Sequence, residues 1–202
     1  MFADDAVPDH ETIKALAQGN RDAFLCLYNR HITLLLNYGM SIAKNKELVK
    51  DCVQDLFLTI WQRRDTLETI ESIQAYLLTS LRRLIIYKLK KEDKTGARER
   101  EYSAAEYNDE TIEARIIRTE GAKIKHHAIL EKVEALPPRQ REVIFLRFFA
   151  EMSYEEIGSL MELNYQGVRN LVYKAITSLR NRLPENGLEM GLIILLLLLN
   201  AT

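Results

Sequence analysis

Gln166, Arg169, Asn170, Tyr173, Lys174, Thr177 and Arg180 lie three or four residues apart, or side by side, between Asn164 and Leu183. On a helix that spacing places them on one face. Glutamine, asparagine and arginine form paired hydrogen bonds to base edges in the major groove, while lysine, threonine and tyrosine suit phosphate oxygens. The stretch holds four bases and no acid. A merely solvated face usually mixes glutamate with lysine, so the missing acids point to DNA. On the other side Val168, Leu171, Val172, Ala175, Ile176 and Leu179 form an apolar stripe that must pack inward.

A second set lies at Tyr76, Thr79, Arg83, Ile86, Tyr87 and Lys90, with Arg82 beside it. Aromatics interleaved with cations suit an unstacked single strand, where bases stack and phosphates need charge. Basic residues also complement the dipole at a helix end. The five bases and no acid between Arg82 and Lys91 exceed that need.

A third set surrounds Leu58. Val49, Cys52, Val53, Leu56, Phe57 and Ile60 make a core stripe, and Asp51, Gln54, Asp55, Leu58 and Gln62 lie outside it, with Trp61 at the border. An apolar anchor within a polar surround is a common form of protein interface. A single stray exposed leucine is the other reading, and the wheel alone does not choose between them.

Other chemistries find no support. His126 and His127 are adjacent, so a helix splays them apart, and Cys26 and Cys52 make no paired motif; no metal is expected. There is no Gly-rich phosphate loop, nucleophile elbow or cofactor fingerprint, and no cofactor is expected. Asp51 and Asp55 are four residues apart, but nothing nearby suggests a catalytic pocket. The chain reads as a non-enzyme.

The elements that must position these sets are helical. Gly and Pro number 8 and 4 among 202 residues, and no period-two strand pattern occurs. Four helices are expected between Thr12 and Lys91, the first ending at Gly19 and the second capped by Asn20 or Asp22. Glu92 to Glu113 holds eight acids and three bases, the composition of a linker. Helical patterning runs again from Ile116 to Leu136 and stops at Pro137-Pro138. Three further helices follow over Arg139–Phe149, Ser153–Glu162 and Asn164–Leu183. Ser153 and Glu156 have capping-box spacing, and the turn at Glu162-Leu163-Asn164 makes the last pair a helix-turn-helix. Glu162 stands where glycine is common. The fold class is all-α: two small helical domains joined by an acidic linker.

Net charge is −1, so any nucleic-acid role needs local basic faces. The two cysteines read as reduced, buried thiols of a cytoplasmic protein. No basic segment followed by an apolar core opens the chain, so no secretion signal is expected. The residues alone leave open a free-standing helix-turn-helix regulator and a membrane-associated interaction protein. The regulator explains the last two helices but leaves the stripe on the fourth helix without a purpose.

Several strings resemble sigma factors of RNA polymerase. Leu48-Val49-Lys50-Asp51-Cys52-Val53-Gln54-Asp55-Leu56-Phe57-Leu58-Thr59-Ile60-Trp61 is similar to the segment that docks on the clamp helices of the largest polymerase subunit. Ile73-Gln74-Ala75-Tyr76-Leu77 through Leu89 is similar to the helix that melts and reads the minus-ten element. Leu136-Pro137-Pro138-Arg139-Gln140-Arg141-Glu142-Val143, followed by Met152-Ser153-Tyr154-Glu155-Glu156-Ile157, resembles the domain that reads the minus-thirty-five element and binds the polymerase flap. Asn164 to Lys174 resembles sigma factors of Bacteroidetes-type bacteria.

The likeness implies sigma domain 2 over 10–91, a linker over 92–117, sigma domain 4 over 118–183 and a tail over 184–202. It assigns Asp51, Gln54, Asp55, Leu58 and Trp61 to core polymerase. Tyr76, Thr79, Arg82, Arg83, Tyr87 and Lys90 go to the minus-ten strand, and Gln166, Arg169, Asn170, Tyr173, Lys174 and Arg180 to the minus-thirty-five duplex. Arg83 and Tyr87 stand where many relatives have Asn and Asp, so the minus-ten sequence is not carried over. The missing middle domain implies the extracytoplasmic-function group, whose members are often held by a membrane-anchored anti-sigma factor.

The tail holds ten residues without a charge, Met190 to Leu199. A spanning helix needs about 20. The expectation is that this run folds back on the protein or is covered by the anti-sigma partner, and that the chain does not itself span a membrane.

Overall fold

The computed structural model describes residues 8–94 and 132–181. The described residues are helical, without strands. The chain divides into two compact units, Met1–Ile112 and Glu113–Thr202. The segment expected as a linker lies outside the described residues except for 92–94, as do most of the Ile116–Leu136 patterning, His126, His127 and the apolar tail.

Unit 1 contains α1 (Asp9–Ala17), α2 (Arg21–Ile42), α3 (Lys46–Gln62) and α4 (Ile73–Lys94). Gly19 adopts φ 81°, and the Gly19 and Asn20 amides donate to Leu16 and Ala15 carbonyls, closing α1 with a left-handed cap. Asn20, not Asp22, caps α2: its side-chain oxygen accepts from the Asp22 and Ala23 amides at 2.8 and 3.2 Å. α2, α3 and α4 pack against one another. Their core includes Leu27, Leu35, Tyr38, Val49, Cys52, Leu56, Ile60, Leu78, Leu81 and Ile85. Each large aliphatic buried there contributes about 1.5–3 kcal/mol of transfer free energy. Gly39 permits the close approach of α2 and α3, because a Cβ there would collide with Val49.

Two features go beyond the four expected helices. A 3₁₀ segment over Arg64–Thr69 packs on α1 and buries Leu67. α4 runs three residues past Lys91, since neither Gly nor Pro stops it before Gly96.

In the described part of unit 2, residues 132–134 are helical and α5 (Pro138–Phe148), α6 (Tyr154–Met161) and α7 (Tyr165–Arg180) follow. Pro137 interrupts the chain, and Pro138 occupies the first turn of α5, where its missing N–H costs nothing. Arg141, although buried, donates to the Glu134 carbonyl at 2.9 Å and ties the preceding segment to α5. The capping box at α6 is complete. The Glu156 amide donates to Ser153 Oγ at 3.2 Å, and the Ser153 amide to Glu156 Oε2 at 2.8 Å.

Glu162 supplies the turn in place of glycine by taking the left-handed conformation, φ 57° and ψ 49°. The Leu163 amide then returns to the Gly158 carbonyl at 2.9 Å. A Cβ at Gly158 would lie 2.7 Å from the Leu163 carbonyl oxygen, so the turn closes this tightly only over glycine. Asn164 caps α7 by accepting the Gly167 amide at 2.7 Å.

Candidate protein and nucleic-acid interfaces

α3 buries Leu48, Val49, Cys52, Val53, Leu56, Phe57 and Ile60, as its periodicity requires. Asp51, Gln54, Asp55 and Gln62 are thereby exposed, and Leu58 is 61% exposed among them. Trp61 is half-buried. Its ring meets Phe24 edge-on at 5.3 Å and carries the Arg64 guanidinium at 5.1 Å. Tyr28 of α2 leans on Phe57 at 4.8 Å and is itself exposed, as is Leu25. Neither α2 residue was assigned a role from the sequence. The signal for them is weak, because exposed leucines and tyrosines are common.

Asp55 is engaged within the unit. Its Oδ2 accepts from Lys88 Nζ of α4 at 2.7 Å. That hydrogen bond raises the lysine pKa above its ordinary value. Lys88, one of the five bases counted between Arg82 and Lys91, is therefore turned toward α3.

On α4, Leu77, Leu78, Leu81 and Ile85 are buried. The expected stripe lies on the other side: Arg83 and Lys90 are exposed, Tyr87 is 66% exposed, and Tyr76, Thr79, Arg82 and Ile86 are half-buried. A tyrosine ring held out at this level beside two cations is chemically able to stack on an unpaired base.

On α7, Val168, Val172 and Ala175 are buried and Leu171, Ile176 and Leu179 half-buried. Gln166, Arg169, Asn170, Lys174 and Arg180 are exposed, Tyr173 is 71% exposed, and Thr177 is half-buried. The Gln166 amide donates to Asn170 Oδ1 at 3.0 Å, which orients both amides along the outer face. α7 has no acidic residue.

Among the described residues no group of three or more His, Cys, Asp and Glu could hold a metal ion, and no helix is long and apolar enough to cross a membrane. His31 is buried in α2 with Nε2 lacking a partner. Burial lowers its pKa, with Asp9 opposing and Arg30 adding to the effect.

Residues 27–95 match the family described as Sigma-70 region 2, and residues 126–179 match Sigma-70, region 4. The chain is 23% identical over 175 residues to ECF RNA polymerase sigma factor SigK of Mycobacterium ulcerans (strain Agy99), covering 86% of this chain and 92% of the relative. Its fold is similar to CnrH in a complex with the cytosolic domain of CnrY, with a TM-score of 0.58 at 21% identity, over 86% of this chain and 95% of that one. It is also similar to the sigma factor RpoE of Bartonella quintana, crystallised with the anti-sigma factor NepR. There the TM-score is 0.56 at 19% identity, over 77% of this chain and 94% of that one.

Proposed function

We propose how this chain works from the premise that it belongs to the sigma-70 family, in its extracytoplasmic-function group: it binds core RNA polymerase and directs promoter-specific initiation of DNA-templated transcription. The observation that carries the reading is the occurrence of both sigma regions, in order, on one chain. A free-standing regulator would need neither the α3 strip nor the α4 stripe.

In our reading the working parts are the three outer faces. Asp51, Gln54, Asp55 and Leu58, with Trp61 at the border, dock on core polymerase. Leu58 supplies the apolar anchor, and the carboxylates meet cations on the partner. Tyr76, Thr79, Arg82, Arg83, Tyr87 and Lys90 hold the minus-ten strand as it unpairs, rings against bases and cations against phosphates. Gln166, Arg169 and Asn170 read base edges of the minus-thirty-five duplex, while Tyr173, Lys174 and Arg180 hold its backbone. The corresponding domains are 10–91 and 118–183, joined by 92–117. The chain is a binding factor without catalysis of its own and works in the cytoplasm. By analogy with the RpoE–NepR complex, an anti-sigma factor is its negative partner.

Docking is tested by pull-down with core polymerase. Asp51→Lys combined with Leu58→Ala leaves the Asp55–Lys88 pair in place. It is expected to abolish binding with helicity unchanged by circular dichroism. Full binding by that folded variant would remove the α3 interface.

A further inference from the structure

One exposed ring on the recognition helix was assigned no role. Tyr165 is the first residue of α7, directly before Gln166, and is 52% exposed. It is nevertheless held in place. Its ring meets Tyr154, the first residue of α6, edge-on at 5.5 Å and 62°. Tyr154 in turn lies under the Arg147 guanidinium of α5, 5.3 Å from the ring centroid. Arg147 is itself fixed, donating from Nη1 to the Met152 carbonyl at 2.9 Å. One residue from each of α5, α6 and α7 thus makes a ladder that ends in a partly bare aromatic surface.

The placement of that surface suggests its ligand. The N-terminal residues of a recognition helix are the ones that contact base edges in the major groove. The major-groove feature suited to an apolar surface is the thymine 5-methyl group. A ring already held by Tyr154, which Arg147 fixes in turn, loses little rotamer freedom on contact. Resting on the reading of α7 as the duplex-binding helix, we propose that Tyr165 is a specificity-determining residue whose ring packs on a thymine methyl at the edge of the element read by Gln166, Arg169 and Asn170. Tyr154 and Arg147 are positioning residues for it. The contact supplies an apolar preference at a base pair adjoining those read by hydrogen bonds.

The test uses the full chain with core polymerase. Duplexes are first selected from a randomised pool, and each thymine of the selected element is then replaced by deoxyuridine, which lacks only the methyl group. For the native chain one such replacement is expected to weaken binding about fourfold, the worth of one buried methyl-sized group. Tyr165→Ala is expected to bind the thymine and uracil duplexes equally, and Tyr165→Phe to keep the full difference. Tyr154→Ala, with its helicity verified, is expected to shrink the difference without removing the base preference due to Arg169. If every uracil effect survives in Tyr165→Ala, the proposal is wrong. If Tyr165→Phe loses as much as Tyr165→Ala, the hydroxyl makes the contact and the methyl assignment is likewise overturned. Failure of the native chain to select any sequence would instead overturn the reading of α7, and this proposal with it.

Discussion

α3 and α7 are amphipathic helices of nearly equal length, 17 and 16 residues, yet they expose opposite chemistry. α3 exposes two aspartates around a bare leucine; α7 exposes amides and cations with no acid. Burying an apolar stripe orients both helices but does not select a ligand. The sign and type of the outward residues do that. The two also differ in what holds them. α3 is fixed by side chains on both flanks, Phe57 against Tyr28 and Asp55 against Lys88. α7 depends on backbone geometry, the left-handed Glu162 and the tight closure of Leu163 over Gly158.

The largest expected effect breaks the backbone-dependent member. Gly158→Ala brings a Cβ against the Leu163 carbonyl oxygen, and is expected to cost unit 2 about 1–3 kcal/mol in denaturant unfolding. Unit 1 should keep its stability, so two probes reporting separately on the units distinguish the outcomes.

Within α7, Arg169→Ala is expected to cost about 1–3 kcal/mol and to relax preference at one base pair. Lys174→Ala should weaken all sequences alike and lower the salt slope by about one. Equal loss on all duplexes for Arg169→Ala would move that residue from base reader to phosphate contact.

Acid separates the units through His31. Its folded-state pKa is depressed by burial, so the unfolded chain binds the proton first. Stability from the neutral imidazole is present above the ordinary histidine value and is lost as pH falls below it toward the depressed one. The urea midpoint of unit 1 should therefore drop between pH 7 and a pH just below the histidine range. His31→Leu should lessen the drop; an identical drop would assign it to the carboxylates.

The smallest effects lie at the flanks. Lys88→Met removes a partly exposed ion pair and should cost at most about 1 kcal/mol. Glu162→Gly removes the steric cost of a left-handed glutamate but adds glycine's backbone entropy, so a net gain near 0.5 kcal/mol in thermal unfolding is expected.

Helix periodicity made the buried stripes of α3, α4 and α7 legible, and the Ser153–Glu156 spacing marked the start of α6. Such local patterns carry their own geometry. Contacts between residues distant in sequence do not. The Asp55–Lys88 pair and the Arg147–Tyr154–Tyr165 ladder depend on how helices pack. No periodicity announces the 3₁₀ segment either, since Leu67 is its one fully buried side chain among those described. Glu162 departs from the usual glycine of the turn, and only the backbone shows that the glutamate accepts the left-handed conformation.

Initiation in a purified system is the most direct test of the chain as a sigma factor. Core polymerase is mixed with this chain and a duplex carrying the selected elements, and run-off transcripts are measured beside permanganate reactivity of thymines. Transcripts that require the chain are expected. Arg83→Ala with Tyr87→Ala should still form closed complexes while opening DNA slowly. No transcript with the native chain would contradict its function as an initiation factor, and normal opening by the double variant would contradict the role of the α4 stripe.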